Sequence, residues 1–541
     1  MMESTISKNK IKFLLKKIDE LVNIENKKNG GALAVAVTHG DETIYKRYIG
    51  QASIEHAVAI TPNTKFYMAS VSKQFTAFCI ALLERERKIN VKDKVGKYVD
   101  YFPAYFSDIT IEHLIHHTSG LRDQFGLYNL AGKNSDFDHR HIDLVRKLAQ
   151  RQRALNFTPG EYYLYNNTGY NLLAEIVRVV SGKSLREYAQ ENVFAPLKMK
   201  DTFFYDDITE IISDRAMGYV YNEALHQWRR NDLNDAVVGG SGLYSTVNDL
   251  CRWMRAFYSP SIVQELLPKL SRTLDLTNGD RNNYAYGLII SQREGQKIIR
   301  HGGSYGGFKS EICIFPDAKL GIAITSATNA YAYKFIMQGL DTLFNAGMTE
   351  PDKQPCRTSD IDITGIFKGV DPFPYIITKE ECYLLGNLFE KGNPIIFNAD
   401  GTFQEEGGQI RFKPIIENDS IIALEQINEN GNIFCLKKMI DKGDIDIHRL
   451  SGRYYNHETE SIINIEASGD DIYIDAVILP GKKEALRWVY ENSYFLPGTE
   501  LIIDFGLNSD TNEPRIYVND GYCWKIEFVR FNLIDRVMNT N

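Results

Sequence analysis

Residues 64–87 read TKFYMASVSKQFTAFCIALLERER, a short extended run that enters a strongly apolar helix. Phe75, Phe78, Cys79, Leu82 and Leu83 recur at helical spacing from a start near Ser70 toward Arg87. A helix this apolar belongs at the centre of a domain. Upstream, Leu14, Leu15, Ile18, Leu21 and Val22 predict an amphipathic helix from Ile11. Two β-rich runs follow, Ala32–Thr38 and Thr43–Ile49, joined by a turn that Gly40 permits, and they are expected as two central antiparallel strands. Downstream, helices are expected over Thr168–Ser181, which stops at a Ser-Gly pair, and over Ser245–Tyr258. Strand patterns return at Lys297–Arg300, Phe308–Phe315 and Leu320–Ser326, and Tyr333–Phe344 suggests a closing helix. This order predicts one mixed α/β (α+β) domain over residues 1–348.

Beyond it the character changes. Residues 349–360 lose periodicity and read as a linker. Short strands then alternate with turns such as Asn398-Ala-Asp-Gly401 and Ser468-Gly-Asp-Asp471, the pattern of all-β sandwiches and barrels. Ile363-Thr-Gly-Ile-Phe367 matches Leu450-Ser-Gly-Arg-Tyr454, and each copy finishes in an apolar strand, Ile433–Met439 and Tyr522–Phe531. Two small β-barrels are expected, over 361–446 and 447–541.

Composition narrows the class. The chain has 541 residues, 43% apolar and 24% charged, which excludes wholesale disorder and an integral helical membrane protein. Lys plus Arg number 62 against 70 Asp plus Glu, so no basic surplus exists to neutralise a phosphate backbone, and no nucleic-acid partner is expected. Seven cysteines without CxxC spacing indicate reduced thiols rather than a disulfide framework or a zinc site. No apolar leader or bilayer-length run is visible, so the expectation is a cytoplasmic protein without membrane attachment.

Three short elements carry chemistry. Ser70-Val-Ser-Lys73 lies where the chain enters the apolar helix. Residues three apart share a helix face, which sets the Lys73 amine beside the Ser70 hydroxyl. Burial lowers an amine's pKa, so Lys73 can accept the serine proton, and free N–H groups at the helix start can stabilise an oxyanion. The motif alone is weak, with on the order of two matches expected by chance. Ser7-Lys-Asn-Lys10 is such a decoy, and an N-cap role for Ser70 is the plain alternative. In Tyr165-Asn-Asn167, the phenol can relay protons and the Asn167 amide can bind both lysine and a substrate carbonyl, although a packed aromatic is the plainer reading of Tyr165. In His301-Gly-Gly-Ser304, Gly302 and Gly303 let a substrate approach the strand edge, while the His301 imidazole offers itself to a carboxylate or developing charge. A Gly-rich hairpin with an incidental histidine is the alternative there.

Together these elements resemble the penicillin-recognising serine hydrolases, the superfamily of class C β-lactamases, DD-peptidases, family VIII esterases and D-aminopeptidases. Agreement of order and spacing extends to LIHHTSGL at 114–121, FTPGEYYLYNNTGYNLLAEIV at 157–177, GGSGLYSTVNDL at 239–250 and HGGSYGGF at 301–308. The resemblance implies a β-lactamase/transpeptidase-like fold with an antiparallel sheet flanked by helices. It also implies Ser70 as acylated nucleophile, Lys73 and Tyr165 sharing acid–base work, and Asn167 orienting Lys73 and substrate. Backbone N–H groups of Ser70 and Ser304 would form the oxyanion hole. His116, His117 and Ser119 would pack or hydrogen-bond, and Gly239, Gly240 and Gly242 would permit close backbone approach. His301 stands where β-lactamases present the lysine of Lys-Thr-Gly, a departure that points away from penicillin. No metal or organic cofactor is implied, since serine acyl transfer needs neither.

A catalytic domain with His-x-Gly followed by two lipocalin-like barrels looks like the D-aminopeptidases, in which a barrel loop reaches the active-site rim. The expected activity is therefore serine hydrolysis of a small peptide, amide or ester, with removal of N-terminal D-residues the specific expectation. An esterase or penicillin-binding relative is the runner-up, and a noncatalytic protein whose barrels hold a ligand is the alternative from another class. The barrels also offer a route to a homodimer.

Overall fold

The computed structural model describes residues 6–530 apart from 28–31, 133–145, 329–335, 345–362, 385–392, 477–482 and some shorter stretches. The expected linker at 349–360 and Cys356 lie outside the described residues, as does much of the closing helix expected over Tyr333–Phe344. Helix α1 (Lys8–Lys27) buries Ile11, Leu14, Ile18 and Val22, the face its periodicity predicts. Strands β1 (Leu33–His39) and β2 (Glu42–Ile49) form the expected hairpin, with Gly40 at φ +56° in the turn. Next comes a single turn of 3₁₀ helix, Ala69–Val71, leading into α2 (Ser72–Arg85). Every residue of α2 from Ser72 to Leu83 is buried, which explains the unbroken apolar run from Ala77 to Leu83.

Helix α3 (Asn167–Ser181) is capped by the Asn166 side chain and ends at Gly182, whose φ of +72° breaks the helix where the Ser-Gly signal predicts. The expected helix over Ser245–Tyr258 is α4 (Val247–Arg255), with Thr246 as its N-cap. Strands β3 (Ile289–Arg293), β4 (Gln296–Tyr305), β5 (Phe308–Phe315) and β6 (Leu320–Ser326) complete an antiparallel sheet of order β3-β4-β5-β6-β1-β2. Two expectations change here. β1 is interior, but β2 is an edge strand, because the C-terminal strand β6 takes the other side of β1. β4 also runs on through both glycines to Tyr305, since ladder pairing with β5 continues from Ile299 to Tyr305.

Alternation along β1 sorts the two cores. Leu33, Val35 and Val37 join α1 in one cluster, while the small Ala34 and Ala36 face the cluster built around Phe75 and Phe78 of α2. Small side chains on that face leave room for α2. Burying each large apolar side chain there contributes about 1.5–3 kcal/mol.

The C-terminal region forms two barrel-like all-β domains. Eight strands from Gly365–Lys368 to Ile433–Met439 close a barrel, with Ile366 opposite Met439 at the seam. Nine strands make the second, in which Gly452–Asn456 pairs with Ile526–Arg530. Its terminal strands, Glu484–Ala485 and Arg487–Tyr490, do not pair with each other among the described residues. The internal repeat is structural: Gly365 and Gly452 each begin the first strand of a domain, and Phe367 and Tyr454 are each fully buried. The last strand, expected over Tyr522–Phe531, begins only at Ile526. Asp520 holds the preceding residues in a turn by accepting from the backbone N–H groups of Tyr522 at 2.8 Å and Cys523 at 2.6 Å. The six described cysteines are unpaired thiols, and no described helix is long and apolar enough to cross a membrane.

Candidate active site

The 3₁₀ turn sets Ser70 at the mouth of α2, and Ala69 before it adopts φ +47°, a strained conformation for a residue with a Cβ. Ser70 caps nothing: Val71 holds the N-cap position of α2 without a side-chain hydrogen bond. One turn on, Lys73 Nζ lies 3.2 Å from Ser70 Oγ, 2.7 Å from Asn167 Oδ1 and 2.6 Å from Gly240 O. Burial pushes the Lys73 amine down to about 7, with nearby Asp123 partly opposing the shift. The two oxygens on Asn167 and Gly240 can only accept. A neutral amine that donates its two hydrogens to them therefore turns its lone pair toward Ser70, which can donate.

Asn167 owes its position to a residue that sequence reasoning missed. Asp123 accepts from the backbone N–H of Asn167, from Thr168 N at 3.3 Å and from Phe125 N at 2.9 Å, so one buried carboxylate fixes the start of α3. Burial raises the Asp123 pKa, and those three N–H groups oppose the rise. Gly240 is held from the other side, where its N–H donates to Asn171 Oδ1 at 2.9 Å. A Cβ on Gly239, at φ +121°, would lie 2.4 Å from Tyr170 O, so the expected close backbone approach is real.

The Tyr165 ring covers Lys73 Nζ at 4.6 Å from its centroid. Its buried hydroxyl makes no full hydrogen bond, and burial pushes the phenol well above its ordinary range, with Ser70 offering a small opposing interaction. The phenol therefore stays protonated. The His117 ring packs against it at 4.4 Å, tilted by 41°, and accepts from Asn166 N at 3.0 Å, and His116 Nδ1 meets Tyr284 O at 2.8 Å. Ser119 Oγ accepts from Leu121 N at 3.3 Å. These contacts are packing and hydrogen bonding, as the sequence suggests.

His301 meets a geometry that the sequence does not announce. Its Nδ1 lies 2.6 Å from Gly302 O and its Nε2 lies 2.8 Å from Tyr284 Oη. Since Gly302 O can only accept, Nδ1 carries the hydrogen and the Tyr284 hydroxyl donates to Nε2. Both nitrogens are engaged within the protein, and burial together with the nearby Lys73 lowers the imidazole to about 3. His301 is thus a neutral, braced ring rather than a cation facing substrate. Tyr284 is the brace, and no motif marks it.

Gly303 explains its own identity. A Cβ there would lie 2.2 Å from Met68 O and 3.1 Å from Ser70 N, so only a bare α-carbon lets β4 pass the turn that carries Ser70. Ser70, Tyr165, His301, Gly302, Gly303 and Ser304 all border one open cavity of about 430 Å³. Tyr522, assigned by sequence to the final strand, also lines it. Its loop is fastened to the α/β domain: Asn156 Nδ2 donates to Tyr522 O at 3.1 Å, and Cys523 Sγ donates to Asp123 O at 3.3 Å. Arg122 Nη2 donates to Lys525 O at 3.0 Å, and its guanidinium forms a buried ion pair with Glu458. Tandem aromatic and acidic residues in a turn, Asp520-Gly-Tyr522, were the available signal.

Comparison with known proteins agrees with this geometry. The Beta-lactamase family model matches residues 18–337. Penicillin-binding protein 4* of Bacillus subtilis is 29% identical over 316 residues, covering 56% of this chain and 69% of that protein. A D-aminopeptidase of Brucella melitensis is 24% identical over 470 residues, covering 83% of each chain. Among solved structures, an octameric penicillin-binding protein homologue from Pyrococcus abyssi superposes with a TM-score of 0.55 at 20% identity, covering 95% of this chain and 99% of that one.

Proposed function

The chain belongs to the beta-lactamase family, and from that premise we propose that it is a serine hydrolase acting through an acyl-enzyme on small peptides, amides or esters. The observation that carries the reading is the buried Lys73 amine, 3.2 Å from Ser70 Oγ and lowered to about 7. Neutral Lys73 takes the Ser70 proton as Oγ attacks the substrate carbonyl, and backbone N–H groups of Ser70 and Ser304 receive the oxyanion. The proton taken by Lys73 passes to the leaving group through Tyr165, which receives one proton as it gives up another and so stays neutral. Water then releases the acyl group by the same steps in reverse.

Removal of N-terminal D-residues is the specific activity we propose. The likeness to a D-aminopeptidase over 83% of both chains supports it, because that match extends beyond the catalytic domain. The His301 imidazole in place of a lysine argues against penicillin as the substrate, although the Bacillus subtilis relative is named for binding it. A fluorophosphonate probe read by mass spectrometry tests the nucleophile. Labelling at Ser70 that vanishes in Ser70→Ala is expected, and labelling that survives the substitution defeats the assignment. Cleavage of D-alanine p-nitroanilide without nitrocefin turnover is the expected substrate profile, and rapid nitrocefin hydrolysis would reverse it.

A further inference from the structure

A carboxylate stands behind the strand edge at which substrate would lie. Strand β3 pairs with β4 only as far as Arg300, so from His301 to Tyr305 the outer edge of β4 has no strand beside it among the described residues. His301 and Gly303 face the nucleophile, whereas Gly302 and its register partner Glu311 share the opposite face. The cavity wraps around this open edge and is bordered by Ser70 on one side and by Glu311 on the other. Gly302 makes that continuity possible, because a Cβ there would sit 2.3 Å from Glu311 Oε2.

Glu311 is 2% exposed, and its buried Oε1 receives no hydrogen bond. A buried carboxylate oxygen left without a donor is costly, and such an exception calls for an explanation. The cations bordering the same cavity do not supply that donor. Lys309 donates to Ser304 Oγ, and Arg300 forms a largely buried ion pair with Glu311, its Nη1 3.7 Å from Oε1 and too far for a hydrogen bond, which leaves Oε2 on the Gly302 side. Burial raises the Glu311 pKa to about 7, with Arg300 opposing the rise, so an arriving cation would favour its ionised form.

We propose that Glu311 is a substrate-anchoring residue whose Oε2, the oxygen beside Gly302, receives the protonated amine of an amine-bearing amide or peptide lying along the β4 edge. The scissile carbonyl then faces Ser70 while the ammonium passes over the bare Gly302 to the carboxylate. This proposal rests on the hydrolase reading above and gives it a substrate class: compounds with a free amine near the cleaved bond, rather than acylated or carboxylate-terminated ones.

The test uses the full-length protein with D-alanine p-nitroanilide and its N-acetyl counterpart. Wild type is expected to favour the free amine by at least about tenfold in kcat/KM. Glu311→Gln should lose about 30-fold or more on the free amine, the scale of a lost charge-assisted hydrogen bond, and at least tenfold less on the acetylated compound. Thermal unfolding checks that the variant is folded. Should Glu311→Gln not fold, Glu311→Asp takes its place, with the same selective loss on the free amine expected and equal losses on both compounds overturning the anchor. Equal losses on both substrates, or a wild type indifferent to acetylation, overturns the anchor while leaving the hydrolase reading standing. A wild type that neither takes a fluorophosphonate at Ser70 nor cleaves either compound defeats the hydrolase reading and the anchor with it.

Discussion

The two C-terminal barrels begin alike and end differently. Each opens with a glycine and buries an aromatic two residues later, Phe367 in one and Tyr454 in the other. The first closes on itself through its last strand and meets the α/β domain around a cavity of about 660 Å³ that Ser70 does not border. The second sends the loop before its last strand into the α/β domain, where Cys523 is fully buried, Trp524 is 7% exposed and Tyr522 reaches the cavity that Ser70 borders. A repeated scaffold thus contributes to the site through one loop. The rim of the site therefore depends on a domain whose core continues through Cys523 to Leu127, Tyr128 and Leu130 of the α/β domain.

The comparison separates chemistry in the α/β domain from fit at the barrel loop, and substitutions can break it. Lys73→Ala should lower the fluorophosphonate labelling rate by about 10³-fold or more, since no other described amine contacts Ser70 Oγ. A loss below tenfold would mean that the base is elsewhere. The pH profile sharpens the same point. Only neutral Lys73 can take a proton, so acylation should fall about tenfold per unit as pH drops below about 7. His301, already lowered to about 3, should add no further break between pH 4 and 9. A labelling rate that is flat from pH 5 to 8 contradicts the assignment.

Between the domains, Arg122→Met leaves Glu458 buried without its partner and removes two guanidinium contacts with the loop carbonyls. Such a break should cost about 3 kcal/mol in chemical denaturation, and a change under about 0.5 kcal/mol would show that the loop is held by other contacts. The smallest effect is a paired one. Tyr522→Ala should change KM for small amides by about tenfold with little effect on the labelling rate, whereas Val370→Ala in the first barrel should change neither beyond about twofold. Equal effects from both substitutions would erase the distinction between the barrels.

Much of this was legible in the residues because local rules coincide with tertiary demands. Ser70 and Lys73 are one helical turn apart wherever a helix forms, and the hairpin at Gly40 needs only its two flanking strands. Edge and interior were not legible: β2 lies at the margin because β6, nearly 290 residues later, claims the other side of β1. Asp123, Tyr284 and Glu311 gave no signal either. Each acts through a partner distant in sequence or on a neighbouring strand, and their residue types are ordinary at any surface.

The sequence by itself determined the pairing of Ser70 with Lys73, the α/β sheet with its helices and the two β domains, all written in periodicity, spacing and turn residues. Tertiary structure alone decided that His301 is neutral and braced, that Asp123 seats α3, and that Tyr522 leaves a barrel to line the cavity. The physical reason is that ionisation and hydrogen-bond partners depend on burial. Burial is set by which distant segments pack together, and no local pattern of residues specifies that.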